Sequence, residues 1–213
     1  MSNDGLILDL SADLVSVRRR SALREAILLL AVAVAELALF LWLGMMRPDM
    51  GRMIGSGYML WKLGSLAALA AMSCATAIRS FSPVVSPRTG SVLTLALAGA
   101  AIAAATFIDP GAASGSAILD RLSPARGLLC ATSIVVLSMP IMAVLAMLMR
   151  RGAPAHPRAS AFASGLAAAS CGALVFAFCC PINDPLYIIV WYSAGCVVVV
   201  MAARWLLPRR FRL

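Results

Sequence analysis

AILLLAVAVAELALFLWLGMM, residues 26–46, is an apolar run whose single ionisable residue is Glu36. At a rise of about 1.5 Å per residue such a run crosses the roughly 30 Å hydrocarbon layer of a bilayer. It is too long for the apolar region of a secretory leader, and no small-residue cleavage site follows it, so it is expected to stay attached. Five more apolar blocks follow, at 58–78, 92–108, 127–149, 161–178 and 186–207. The second of these five is the weakest, being short and rich in alanine. Hydrophobic residues make up 62% of the 213-residue chain, more apolar surface than one water-soluble core of that size buries. The expected fold is all-α, a polytopic membrane bundle of six transmembrane helices spanning 26–207. It would carry a short amphipathic N-terminal helix within residues 1–25 and a basic tail at 208–213.

The formal net charge of +9 has two readings, nucleic-acid binding or membrane topology. A nucleic-acid binder gathers its arginines on one solvated face, whereas these stand between apolar blocks. Arg18, Arg19, Arg20, Arg24, Arg79, Arg88, Arg150, Arg151, Arg158, Arg204, Arg209, Arg210 and Arg212 fall on one side of the six spans. Only Arg47, Arg52, Lys62, Arg121 and Arg126 fall on the other, where Asp49, Asp109 and Asp120 offset several of them. The excess of basic residues on the cytoplasmic side of membrane proteins then puts both termini in the cytoplasm, with no direct contact to nucleic acid.

Cytoplasmic material is scarce, so no soluble catalytic domain is hidden in the chain. In the head, Leu6, Leu10, Leu14 and Val17 recur at helical spacing with Ile7 beside them, while Asp9, Asp13 and Ser16 fall elsewhere. A helix this short is marginal in water and needs a cover for its apolar stripe. Three covers are open: the lipid bilayer, a groove on a protein partner, or the chain's own loops. The acidic polar face repels anionic lipid, which favours a protein partner.

Within the spans, Ala96, Ala100 and Ala104, and Gly165, Ala169 and Ala173, repeat small residues every four positions, a pattern that lets helices approach closely in one bundle or in a dimer. Pro140 inside the fourth span is expected to kink it. Glu36 is costly when ionised in lipid, so it is expected to be protonated, turned inward or hydrogen-bonded. The single His156 excludes paired-histidine haem ligation and a histidine-based catalytic metal centre.

The six cysteines separate by depth. Cys74, Cys171 and Cys196 fall within spans and read as packing residues. Cys130 and Cys180 sit near the outer ends of the fourth and fifth spans, within roughly 6 Å of the membrane surface at about 1.5 Å per helical residue, with Cys179 adjacent. In a periplasm such thiols can be oxidised or bind soft metals transiently, or can form a static disulfide or remain unpaired. No Cys-x-x-Cys motif marks a disulfide oxidoreductase, and the spans are nearly bare of the polar positions a transporter using Glu36, Cys171 or Cys196 would show. No cofactor is expected.

Several segments carry a wider likeness: Leu6-Ile-Leu-Asp-Leu-Ser-Ala-Asp13-Leu14 in the head, Gly44-Met-Met-Arg47-Pro48-Asp49, Cys130 with Leu137-Ser138-Met-Pro140, Arg151-Gly-Ala-Pro154, and Cys180-Pro-Ile-Asn-Asp184-Pro185 leading to Trp191-Tyr192. In their order and spacing the chain resembles the NrsF-type anti-sigma factors, six-span inner-membrane negative regulators of the extracytoplasmic-function sigma factor sigma-F. The resemblance implies a non-enzymatic protein that holds a sigma factor at the bacterial inner membrane and releases it under heavy-metal or oxidative stress. It implies sigma-factor binding by Leu6, Ile7, Leu10, Asp13, Leu14 and Val17, and sensing by a periplasmic-side cysteine pair that maps to Cys130 and Cys180. Cys179 is an additional neighbour, which leaves open the thiol that pairs with Cys130.

Overall fold

A computed structural model of the chain describes residues 21–47, 49–108, 122, 124–152 and 154–209. Among them the regular structure is helical: α1 Ala22–Trp42, α2 Met50–Met53, α3 Gly57–Ser80, α4 Arg88–Ile108, α5 Pro124–Arg151, α6 Pro157–Ala177 and α7 Pro185–Arg209. All except the one-turn α2 are long and apolar enough to cross a membrane, giving the six spans expected. The expected head helix, with Leu6, Ile7, Leu10, Asp13, Leu14 and Val17, lies outside the described residues, as do positions 210–213 of the tail.

Local chemistry sets the helix ends, which differ from the ends of the apolar blocks. The first span runs from Ala22 to Trp42 instead of 26–46, because Gly44 takes a positive φ of 70° and turns the chain out of the helix while the sequence is still apolar. Three helices open on proline, at Pro124, Pro157 and Pro185, where the fixed φ suits the first turn and the missing N–H costs nothing. Ser56 caps α3 by accepting from the Met59 N–H at 3.2 Å, and Asp184 caps α7 by accepting from the Leu186 N–H at 2.9 Å. Helix α5 continues on both sides of Pro140.

Helix α6 is the axis of the bundle, packed on α3, α5 and α7. Its small residues allow this. A Cβ on Gly165 would stand 2.9 Å from the Cα of Val200, and one on Gly172 would collide with Ser138 on α5. The Gly165, Ala169 and Ala173 face thus closes helix contacts within one chain. The matching face on α4 does not: Ala96 and Ala100 are exposed, and α4 buries Ser91, Thr94 and Ala105 instead. Spacing alone identifies a small face but not the side on which a neighbour lies.

Polar residues inside the spans are satisfied locally. Ser73, Thr76, Thr94, Ser138, Ser164 and Ser170 donate to the carbonyls of Leu69, Met72, Gly90, Ile134, Ser160 and Leu166, one turn back, which removes the cost of a bare hydroxyl in lipid. Large apolar side chains such as Leu23, Ile27, Val92, Leu129, Val136 and Trp205 face outward, as a lipid-facing surface requires. The spans alternate in direction. Ser160 on α6 donates to the Ser80 carbonyl at the end of α3, and at the opposite end the Arg47 N–H meets the Phe178 carbonyl. One end of the bundle therefore holds the starts of α1 and α6 and the ends of α3 and α7. The other holds residues 43–56 and 178–184.

Helix α1 is the least embedded span. It touches α5, α3 and α6, but Leu29 is its one buried side chain, supported by half-buried Val32 and Ala33.

Candidate functional site

The chemistry gathers at the end of the bundle that carries residues 43–56 and 178–184. Helix α6 ends at Ala177, Phe178 caps it, and the chain turns through Cys179 and Cys180 before Pro181 stops any continuation. This turn lays Cys180 against Cys130, in the second turn of α5, and the two thiols are close enough to shift one another's ionisation. The Cys130 sulfur also lies 3.2 Å from the Tyr187 hydroxyl. Cys130, Cys180, Tyr187 and Tyr192 are all buried, in a cluster with Ile134, Ala173, Ala177 and Ile188. The Tyr192 hydroxyl faces Cys180 but makes no hydrogen bond of regular geometry.

Lys62 reaches into this cluster from α3. It is 1% exposed, its Nζ donates to the Cys180 carbonyl at 3.5 Å, and it stands 5.6 Å from the centre of the Tyr192 ring. A lysine buried at the end of a span is costly unless something offsets its charge. Part of that cost is offset by the carbonyl, the aromatic face and the nearby sulfurs of Cys180, Cys130 and Cys179. In the sequence Lys62 is one of the basic residues expected on the outer side. Its value as a site residue was signalled only by its position, five residues inside a span.

The two neighbouring thiols differ in chemistry. The Cys180 thiol, which lies beyond the end of α6, is drawn down to about 5, chiefly by the neighbouring Cys130 thiol. The positive charge of Lys62 and the Ile182 N–H add to this against the opposing effect of burial. Burial pushes the Cys179 thiol upward, with the charge of Cys180 adding to the effect. Cys180 is thus the thiolate of the pair and the cysteine that meets Cys130. All six cysteines are free thiols.

A clamp holds the Cys180 loop to α1. Arg47 is buried, and its guanidinium donates to both carboxylate oxygens of Asp49, at 2.9 and 2.7 Å, and to Asn183 Oδ1 at 2.9 Å. The Asp49 hydrogen bonds keep the Arg47 guanidinium above its ordinary range, and in return hold the Asp49 carboxyl below the usual carboxylate range. The Tyr58 hydroxyl adds a bond to the Ile182 carbonyl at 3.3 Å, and the Trp191 indole donates to the Leu122 carbonyl at 2.8 Å. The segments Gly44 to Asp49 and Cys180 to Tyr192, far apart in sequence, are therefore parts of one assembly.

Other expectations fare differently. Glu36 is partly buried on α1, and its Oε2 atom has no hydrogen-bond partner, so the expected hydrogen bond does not form at that oxygen. Cys74 and Cys171, read as separate packing residues, touch at 3.6 Å between sulfurs. Cys196 points toward the Ala169 carbonyl at 3.8 Å. His156 lines a basic surface groove with Arg88 and Arg158, near Pro208, at the opposite end of the bundle. No group of three His, Cys, Asp or Glu side chains among the described residues is placed to hold a metal ion. Cys130 and Cys180 offer soft ions two sulfur donors.

These features define a multi-pass helical membrane protein with a buried dithiol site at one end, tied by an arginine clamp to its first span. Residues 10–213 match the family described as Negative regulator of sigma F, and the chain belongs to that family. It is similar to the Anti-sigma-F factor NrsF of Caulobacter vibrioides, 29% identical over 213 residues that cover 97% of this chain and 99% of that protein. No solved structure matches the chain.

Proposed function

We propose that the protein is an inner-membrane anti-sigma factor with both termini in the cytoplasm. Its N-terminal segment, residues 1–25, holds an extracytoplasmic-function sigma factor of the sigma-F type, through the stripe of Leu6, Ile7, Leu10, Leu14 and Val17 with Asp13 beside it. Heavy metal or oxidant acting on Cys130 and Cys180 at the periplasmic end releases that factor. Family membership and the named relative support the regulatory role.

The observation that carries the coupling is the Arg47 clamp. The sigma-binding segment leads directly into α1, and the far end of α1 leads to Arg47, which is bonded to the loop that follows Cys180. A metal ion or a disulfide at Cys130 and Cys180 consumes the Cys180 thiolate and removes the charge that Lys62 offsets. Lys62, Tyr192 and the loop 179–184 must then rearrange. Arg47 carries that displacement to α1, and α1, anchored mainly by Leu29, passes it to the head. The effect is a coupling between two sites, which requires the bundle to favour different α1 positions in the two thiol states.

A pull-down tests the reading. The detergent-solubilised protein, intact and lacking residues 1–22, is incubated with the host's extracytoplasmic sigma factors. Capture by the intact chain and its loss on deletion is the expected result; failure of both forms to capture any sigma factor overturns the reading.

A further inference from the structure

A second pair of thiols meets deep inside the bundle, away from Cys130 and Cys180. Cys74 on α3 and Cys171 on α6 bring their sulfurs to 3.6 Å although 97 positions separate them in sequence. The fold itself makes this contact. Cys171 is buried and Cys74 half-buried, both against the apolar cluster that includes Ala70, Ala77, Ile141 and Ala167. Packing there asks only for a small apolar side chain, and alanine, which dominates α6, meets that need. Two thiols in contact have a chemistry that two alanines lack.

We propose that Cys74 and Cys171 are a second, membrane-embedded redox site, closed to an intramolecular disulfide by a small uncharged peroxide. One sulfur attacks an oxygen of hydrogen peroxide, the O–O bond breaks, and the departing hydroxide takes the thiol proton, leaving a sulfenic acid and water. The other sulfur then attacks the sulfenic sulfur, the S–S bond forms, and the hydroxyl leaves with the second thiol proton as another water. The two thiols lose two electrons and two protons, and one peroxide becomes two waters. Every reactant and product is neutral, which suits a site among apolar side chains where a lasting charge would be costly. Hydrogen peroxide is small and uncharged, so lipid does not exclude it.

The bond joins α3, which carries Lys62, to α6, which leads into Cys180. It therefore ties together two of the elements that build the other thiol site. The inference stands on the contact itself and does not depend on the anti-sigma reading.

The test uses the full chain in lipid nanodiscs with Cys130, Cys179, Cys180 and Cys196 each replaced by serine. After exposure to hydrogen peroxide the protein is denatured, labelled with N-ethylmaleimide and digested. The expected result is loss of both maleimide-reactive thiols, their recovery with dithiothreitol, and one linked peptide containing Cys74 and Cys171. The linked peptide disappears when Cys74→Ser is added. Full labelling of both thiols after peroxide, or links formed only between chains, overturns the proposal. Should the four-serine chain fail to fold, digestion of the peroxide-treated wild-type chain decides the matter. A Cys74 to Cys171 link supports the site, and links confined to Cys130, Cys179 and Cys180 overturn it.

Discussion

Cys180 owes its thiolate to neighbours from two other helices, and each can be removed by one substitution. Because its pKa is depressed to about 5, the thiolate is present above that value and lost as pH falls through it. Alkylation of Cys180 by iodoacetamide, followed by peptide mapping, should therefore rise with a midpoint near pH 5, far below an ordinary cysteine at about 8.5. The Cys130 thiol contributes most, so Cys130→Ala should move the midpoint up further than Lys62→Met does. Equal midpoints in wild type and both variants would show that neither neighbour sets the thiolate. Asp49 has the same sign of dependence. Its carboxyl is held low by Arg47, so the ion pair contributes fully above the ordinary carboxylate range and is lost only as pH falls through the lower value. Arg47→Lys should open the clamp at neutral pH, because an ammonium cannot serve both oxygens of Asp49 and Asn183 in the geometry of the planar guanidinium. The expected readout is faster alkylation of Cys180 at pH 7, as the loop it sits in loosens.

Helix α6 depends on the absence of side chains where α5 and α7 cross it. Gly172→Leu drives a side chain into Ser138 and the Ile134 carbonyl, and overpacking of this kind costs about 1–3 kcal/mol. Ala96→Leu on the exposed face of α4 should change stability little. Thermal unfolding in detergent should lower the melting temperature for the first variant and leave it nearly unchanged for the second. The contrast marks what could be read from sequence and what could not. Six apolar blocks of membrane length gave six spans, because hydrophobic length is a property of one segment and needs no knowledge of its neighbours. The faces of those spans were less readable: the small-residue patterns of α4 and α6 look alike, yet only one is buried. Cys130 and Cys180 could be placed at one depth by counting residues along helices. That Cys180 and not Cys179 turns toward Cys130 depends on the direction of the chain after α6. Lys62 was hidden because a lysine at a span end ordinarily reaches back to the membrane surface, and only the fold shows it directed inward beneath Cys180. The contact of Cys74 with Cys171 was hidden for a like reason: the register between α3 and α6 is set by side-chain packing, not by span length.

Across the whole molecule the proposed coupling works as a lever. The thiols lie at one end of the bundle, α1 begins at the other, where the chain continues back into the proposed sigma-binding segment, and α1 has little burial along its length. A span packed like α6 could not shift without breaking many contacts, whereas α1 can move at the cost of those around Leu29, Val32 and Ala33. In the proposed coupling the link to the thiol loop is the Arg47 clamp, because Arg47, in the segment that follows α1, bonds to Phe178 and Asn183 on either side of Cys180. This separates three variants by what they lose. Under the proposed function, deleting residues 1–22 should remove sigma-factor capture, so that transcription from the sigma-dependent promoter is high with or without metal. Replacing Cys130 and Cys180 by serine should keep capture and remove the signal, so that transcription stays low under both conditions. Arg47→Ala should keep the head and both thiols yet uncouple them. Capture in a pull-down persists, Cys180 still reacts with metal or alkylating reagent, and transcription no longer responds. The measurement is reporter transcription before and after metal, with protein level in the membrane checked in parallel. Full induction in the Arg47→Ala strain at normal protein level would mean that the signal travels through α5 and α6 and that α1 follows rather than carries it.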